Sequence, residues 1–234
     1  MAGATGYTGR AVVSALRARG VEVIAHVRPD SPSLDRWRDR FGSIGARVDV
    51  TPWEADAMHR SMTALQPSLV FGLLGTTRAR ARRARSQHGR VENYATVDVG
   101  LTIMLYDAAQ SSGARPRFVY LSAVGVGQDT RNEYLAARAL VERRLEDGDL
   151  PSIIARPSFI SGPDRDEFRL AERLGVHATD LLLWLAGLLG AHRLRERYRS
   201  TTSAILADAL VGLALDPHSE NRVYQSEELR GGRE

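Results

Sequence analysis

Short runs rich in β-branched and aromatic residues alternate with stretches of helical periodicity, and this alternation constrains the fold of the chain more than any other feature. Residues 21–27, 46–50, 69–74, 118–121 and 152–155 read as buried strands. Residues 8–19, 33–41, 54–65, 91–112 and 132–146 read as the helices between them. Strands separated by helices need crossover connections, and such crossovers join parallel strands with one hand. The expected class is therefore α/β, a doubly wound parallel sheet with helices on both faces. Past Pro157 the alternation stops. Residues 162–194 and a helix over 201–215 are expected to form a small cap against the carboxyl edge of the sheet, and 223–225 a short closing strand. The expectation is one domain over 1–234, with 157–215 contributing the cap or substrate region.

Composition narrows the chemistry. The 234 residues, 43% hydrophobic and 26% charged, suit one α/β core. Cysteine is absent, which removes disulfides, thiolate metal sites and cysteine nucleophiles. Lysine is absent too, so all 32 basic residues are arginine. The sequence pI of about 9.8 resembles that of nucleic-acid binders, yet the formal net charge is only +4. The run Arg78, Arg80, Arg82, Arg83 and Arg85 carries no interleaved aromatics and reads as a solvated face, so nucleic acid is disfavoured as a partner. The apolar stretch 181–191 is too short to span a bilayer, and no leader-like segment opens the chain. A cytoplasmic protein is expected.

The chain opens on Gly3-Ala4-Thr5-Gly6-Tyr7-Thr8-Gly9, a GxxGxxG turn at the mouth of a helix. Glycines there allow positive φ and close approach of a pyrophosphate, whose charge sits against the free N–H groups of a helix N-terminus. The expected fold is thus Rossmann-like and the expected ligand a dinucleotide. Such a turn normally follows a buried central strand, but only Met1 and Ala2 precede it. A missing strand would leave two rows of backbone groups without a neighbour. Either the natural protein starts several residues upstream with an apolar, β-branched segment, or the sheet closes differently.

Arg28 follows the second expected strand, where a carboxylate would bind a ribose 2′-hydroxyl and an arginine would pair with a 2′-phosphate. This favours NADP(H), with NAD(H) as the alternative. Asp49 and Val50 end the next strand, where the adenine edge is expected. Leu74, Gly75 and Thr76 end the one after it, beside the nicotinamide ribose.

AGATGYTGR at 2–10, GLLGTTR at 72–78, VYLSAVG at 119–125, YLAARALVERRL at 134–145 and ARPSFISGP at 155–163 resemble the atypical short-chain dehydrogenase/reductase superfamily. Within it they look most like the Tat-interactive protein family of oxidoreductase-like proteins, and more distantly like NmrA-like regulators. The resemblance implies an NADPH site built from Gly3, Thr5, Gly6, Tyr7, Thr8, Gly9, Arg28, the 74–76 segment and Pro157, with a Ser, Tyr, Lys set beside the nicotinamide. Matched residue by residue, that set is Ser122, Tyr134 and Arg138. Tyr134 would donate a proton to a substrate oxygen, Ser122 would orient that oxygen, and the cation would bind ribose and tune the phenol.

The pattern YxxxK stands here as YxxxR. Spacing of i, i+4 puts Tyr134 and Arg138 on one helix face. Arginine keeps the charge but cannot release a proton, and its planar fork directs donors differently. Two functions stay open: an NADPH-dependent reductase of a small carbonyl or quinone-like substrate, and a non-catalytic NADP(H)-sensing regulator that meets a protein partner. The apolar segment 181–189 reads as a buried cap helix, with a substrate-pocket wall or a homodimer seam as alternatives. His177, His192 and His218 are too scattered for a metal site, and Trp37 and Trp53 read as packing.

Overall fold

The β-branched runs do form strands, and every pairing among the described residues is parallel. A computed structural model describes residues 1–75, 94–127, 132–161 and 201–231. Its strands are β1 (Ile24–His26), β2 (Arg47–Asp49), β3 (Leu69–Gly72), β4 (Arg117–Leu121), β5 (Ser152–Arg156), β6 (Ile160–Ser161), β7 (Thr201–Thr202) and β8 (Arg222–Gln225). One sheet runs β3-β4-β5-β8, a second pairs β1 with β2, and a third pairs β6 with β7. The expected α/β class holds. Residues 162–200 contain most of the expected cap and lie outside the described residues, as do Thr76, the basic run 78–85, His177 and His192.

Helices cover both faces. These are α1 (Tyr7–Ala18), α2 (Leu34–Gly42), α3 (Ala55–Leu65), a π-helical segment (Tyr94–Leu101) continuing into α4 (Thr102–Ser111), then α5 (Glu133–Glu146) and α6 (Ser203–Leu215). On one face Val12, Val13 and Leu16 of α1 meet Leu206, Leu210 and Val211 of α6 over Val119 and Ile153. On the other, Met58 and Met62 of α3, Leu105 of α4 and Val141 of α5 bury Val70, Phe118 and Ile154. The alternation of Val119 and Ile153 with Phe118 and Ile154 is the period-2 pattern of strands buried on both faces. Thr201 and Thr202, expected to begin the last helix, instead form β7 against Ile160 and Ser161. The Thr202 hydroxyl accepts from the Ile205 N–H, so the residue caps α6 from outside it.

Between β1 and β3, among the described residues, the sheet is held only at its carboxyl end. The Ala2 N–H donates to Phe71 O (2.9 Å) and Leu73 N–H to Ala2 O (3.2 Å). On the other side the Met1 amine donates to Ile24 O (2.8 Å) and His26 N–H to Met1 O (2.9 Å). Met1 and Ala2 thus stand as two residues of a central strand, in parallel register with both neighbours. Behind them lies a cavity of about 1070 Å³ including its open mouth, walled by Leu16, Val23, Met58, Met62, Val70 and Leu105 among others. Among the described residues no strand fills this gap. Burial in the cavity lowers the pKa of the Met1 amine to about 6.

Candidate functional site

The two-residue stub delivers the chain directly into the glycine turn. Gly3 has φ of +80°, and a Cβ there would lie 2.4 Å from Leu73 O, so no other residue fits beside β3. A Cβ on Gly9 would lie 2.0 Å from Gly3 O, which lets α1 start against the turn. Gly6 precedes α1 with an extended backbone, no side chain caps the helix, and its first turn holds no acid. A helix N-terminus without a side-chain cap or an acid in its first turn suits an anion. A dinucleotide pyrophosphate fits this cradle, which any larger side chain would fill.

In front of the turn a cleft of about 750 Å³ including its open mouth is lined by Gly3, Thr5, Gly6, His26, Val27, Arg28, Ser31, Trp53, Leu73, Leu74, Gly75, Val97 and Leu101. The structure brings together Gly3, Thr5, Gly6, Arg28, Leu74 and Gly75 of the expected site. Thr8 and Gly9 are buried behind the turn. Asp49 is turned inward: its carboxylate accepts from the Thr51 hydroxyl (2.7 Å) and N–H (3.3 Å), and it faces the cavity behind Met1. Neither Asp49 nor Val50 is among the lining residues of the cleft.

Trp53, read from sequence as packing, does pack against the core and also stands in the cleft wall, with its ring edge-on to His26 at 4.8 Å. The His26 ring lies 2.7 Å from Thr51 O through Nε2, which assigns the proton to that nitrogen. Burial lowers its pKa, so the ring is neutral at pH 7. Ser31 and Trp53 were missed because both follow strands in loops of no fixed length. A polar or aromatic residue within five positions of a strand end was the available signal.

The three expected catalytic residues come from neighbouring elements. Ser122 follows β4, and its N–H donates to Ala155 O (2.7 Å). Its side chain is buried and donates a short bond to Glu142 Oε1, while Arg156 clamps the same carboxylate through Nε (3.0 Å) and Nη2 (2.5 Å). The hydroxyl is thus spent on a buried ion pair. Asn132 caps α5 by accepting from the N–H groups of Tyr134 (3.0 Å) and Leu135 (3.4 Å), which sets the first turn carrying Tyr134. The Arg138 guanidinium lies 5.2 Å from the Tyr134 ring centroid and 5.5 Å from that of Tyr120. Burial of Arg138 disfavours its charge, but Tyr134, Tyr120 and Asp98 outweigh that and raise its pKa, so it stays protonated. Burial likewise pushes the Tyr120 phenol up to about 12. Pro157, buried beyond β5, accepts from the Val124 N–H (2.9 Å) and so ties the segment after Ser122 to β5. Among the described residues no group of three or more metal-ligating side chains exists. None of the described helices is long and apolar enough to cross a membrane.

The chain is 28% identical over 189 residues to the ceramide reductase of Caulobacter vibrioides, covering 74% of this chain and 51% of that protein. It is 27% identical over 161 residues to the mouse mitochondrial NADH dehydrogenase [ubiquinone] 1 alpha subcomplex subunit 9, covering 68% of this chain and 40% of that one. The chain thus spans about half or less of these relatives. A 3-oxoacyl-[acyl-carrier protein] reductase of Brucella melitensis, solved with NAD, shares the fold with a TM-score of 0.64 at 13% identity, covering 99% of this chain and 96% of that one. Residues 3–179 match the profile of a family described as NAD(P)H-binding, and the chain belongs to that family.

Proposed function

We propose that the protein is an NADP(H)-dependent reductase acting on a small carbonyl or quinone-like substrate, with Tyr134 as the proton donor. The observation that carries this reading is one continuous cleft. It runs from Arg28 and Ser31, past the glycine turn, to Leu74 and Gly75. At its adenosine end the described lining includes an arginine and a hydroxyl but no carboxylate, which favours a ligand bearing a 2′-phosphate over a bare ribose diol. Asp30, 3.8 Å from Arg28, is a loose and exposed competitor for that guanidinium.

When bound, the cofactor supplies a hydride, and this chain supplies position and one proton. The phenol of Tyr134 delivers that proton to the substrate oxygen from the start of α5, where the Arg138 guanidinium lies against its ring. Ser122 supports the site from behind through Glu142. The second reading, a non-catalytic NADP(H) sensor, is favoured by the hydroxyl and the cation of the expected set both being engaged with the protein itself. Turnover of a carbonyl and quinone panel with NADPH separates the two. In the enzyme, Tyr134→Phe abolishes turnover and leaves NADPH affinity within about twofold; turnover unchanged in Tyr134→Phe would contradict the assignment.

A further inference from the structure

We infer that Arg138 is a latch that sets the nicotinamide-side wall of the cleft, not a cation offered to the ligand; the inference rests on the cofactor reading above. Arg138 is 5% exposed and Asp98, its partner on the π-helical segment, is 0% exposed. Nη2 donates to Asp98 Oδ1 (2.8 Å) and to Leu74 O (3.2 Å). Nη1 donates to Leu121 O (2.6 Å) and to the Tyr120 hydroxyl (3.1 Å). A guanidinium has five N–H donors. The four terminal ones are thereby directed at protein acceptors, leaving only the buried Nε–H without a partner.

These acceptors lie on three separate elements. Leu74 O follows β3, Leu121 O ends β4, and Asp98 belongs to the π-helical segment. Two of the three also build the cleft: Leu74 and Gly75 line it from one side, Val97 and Leu101 from the other. A Cβ on Gly75 would stand 3.0 Å from Arg138 Nη2 and 3.6 Å from Asp98 Oδ1, so this loop packs directly on the ion pair. The fork geometry explains arginine here. An ammonium has three donors on one nitrogen and cannot hold four acceptors spread in a plane. Asp98 also cancels the charge, so the field at Tyr134 is that of a pair. Asp98 stands in a π-helical segment, and such segments recur at functional sites.

The latch and the ligand-binding cation predict opposite effects of conservative changes. NADPH and 2′,5′-ADP, which lacks the nicotinamide half, are titrated into wild type, Arg138→Lys and Asp98→Asn, with thermal midpoints recorded alongside. The latch predicts that both variants bind NADPH about tenfold more weakly while 2′,5′-ADP affinity stays within about twofold. Retained 2′,5′-ADP binding shows that the variants are folded. Wild-type NADPH affinity in Arg138→Lys, or tighter NADPH binding in Asp98→Asn, would show that the charge serves the ligand and overturn the latch. Equal losses for both ligands would overturn it as well, by reducing Arg138 to general stability. A wild type that binds neither ligand would sink the cofactor reading itself.

Discussion

Ser122 shows how a residue can stand at a matched position with its side chain committed elsewhere. Its buried hydroxyl faces Glu142, a carboxylate it shares with Arg156. Removing one bond from a buried charged group costs about 1–3 kcal/mol. Ser122→Ala should therefore lower stability by that amount in denaturant titration and reduce any turnover far less than Tyr134→Phe does. At the other end of the cleft, Arg28→Ala should remove the preference for NADPH over NADH, a loss of about 1.5–3 kcal/mol that parallel titrations of both cofactors would read. Equal affinities in the wild type would contradict the 2′-phosphate assignment. Gly3, Gly6 and Arg28 were legible from sequence because backbone sterics and strand ends dictate where they stand. The destinations of the Ser122 and Arg138 side chains were not, because Glu142 and Asp98 lie 20 and 40 positions away along the chain.

The strands and helices were legible because Val, Ile and Phe runs and i, i+4 faces carry their own period. Their ends shifted by a few residues where capping decided, as at Thr202. The π-helical segment was hidden inside an expected regular helix over 91–112, since its residues 94–101 (YATVDVGL) give no periodic signal of a wider turn. Between β1 and β3 only Met1 and Ala2 pair with both neighbours among the described residues, and the Met1 amine is buried there. In the 234-residue chain with a free Met1 amine, the folded-state pKa of about 6 lies below the ordinary 8.0. The unfolded state then binds more protons between these values, so stability rises with pH from about 6 to about 8 and the full penalty applies below 6. A depression from 8.0 to about 6 corresponds to roughly 2–3 kcal/mol. His26, also lowered by burial, acts in the same direction at lower pH. Thermal midpoints across pH 5.5–8.5 should climb accordingly, and a flat profile would contradict the burial of this amine. Joining about four apolar, β-branched residues to Met1 should raise the midpoint and flatten that climb, whereas a charged segment of equal length should not.

At the scale of the whole molecule, two apolar layers hold the parallel sheet and fix the turn above it. Leu210 of α6 is fully buried among Val12, Val13 and Leu16 of α1, the helix whose N-terminus faces the cleft. Leu210→Ala should cost about 2–5 kcal/mol in unfolding while leaving cofactor affinity of the folded fraction nearly unchanged. Parallel pairing with right-handed crossovers places the strand carboxyl ends on one edge, where the glycine turn, Arg28 and Gly75 meet. That convergence is the central claim, and titrating NADPH into the wild-type chain while following its fluorescence tests it most directly. The account predicts saturable binding at one site per chain, displaced by 2′,5′-ADP and weakened at least tenfold by Gly9→Val, whose side chain would enter the turn. Fluorescence that rises without saturation, or binding that survives Gly9→Val in a folded protein, would contradict it.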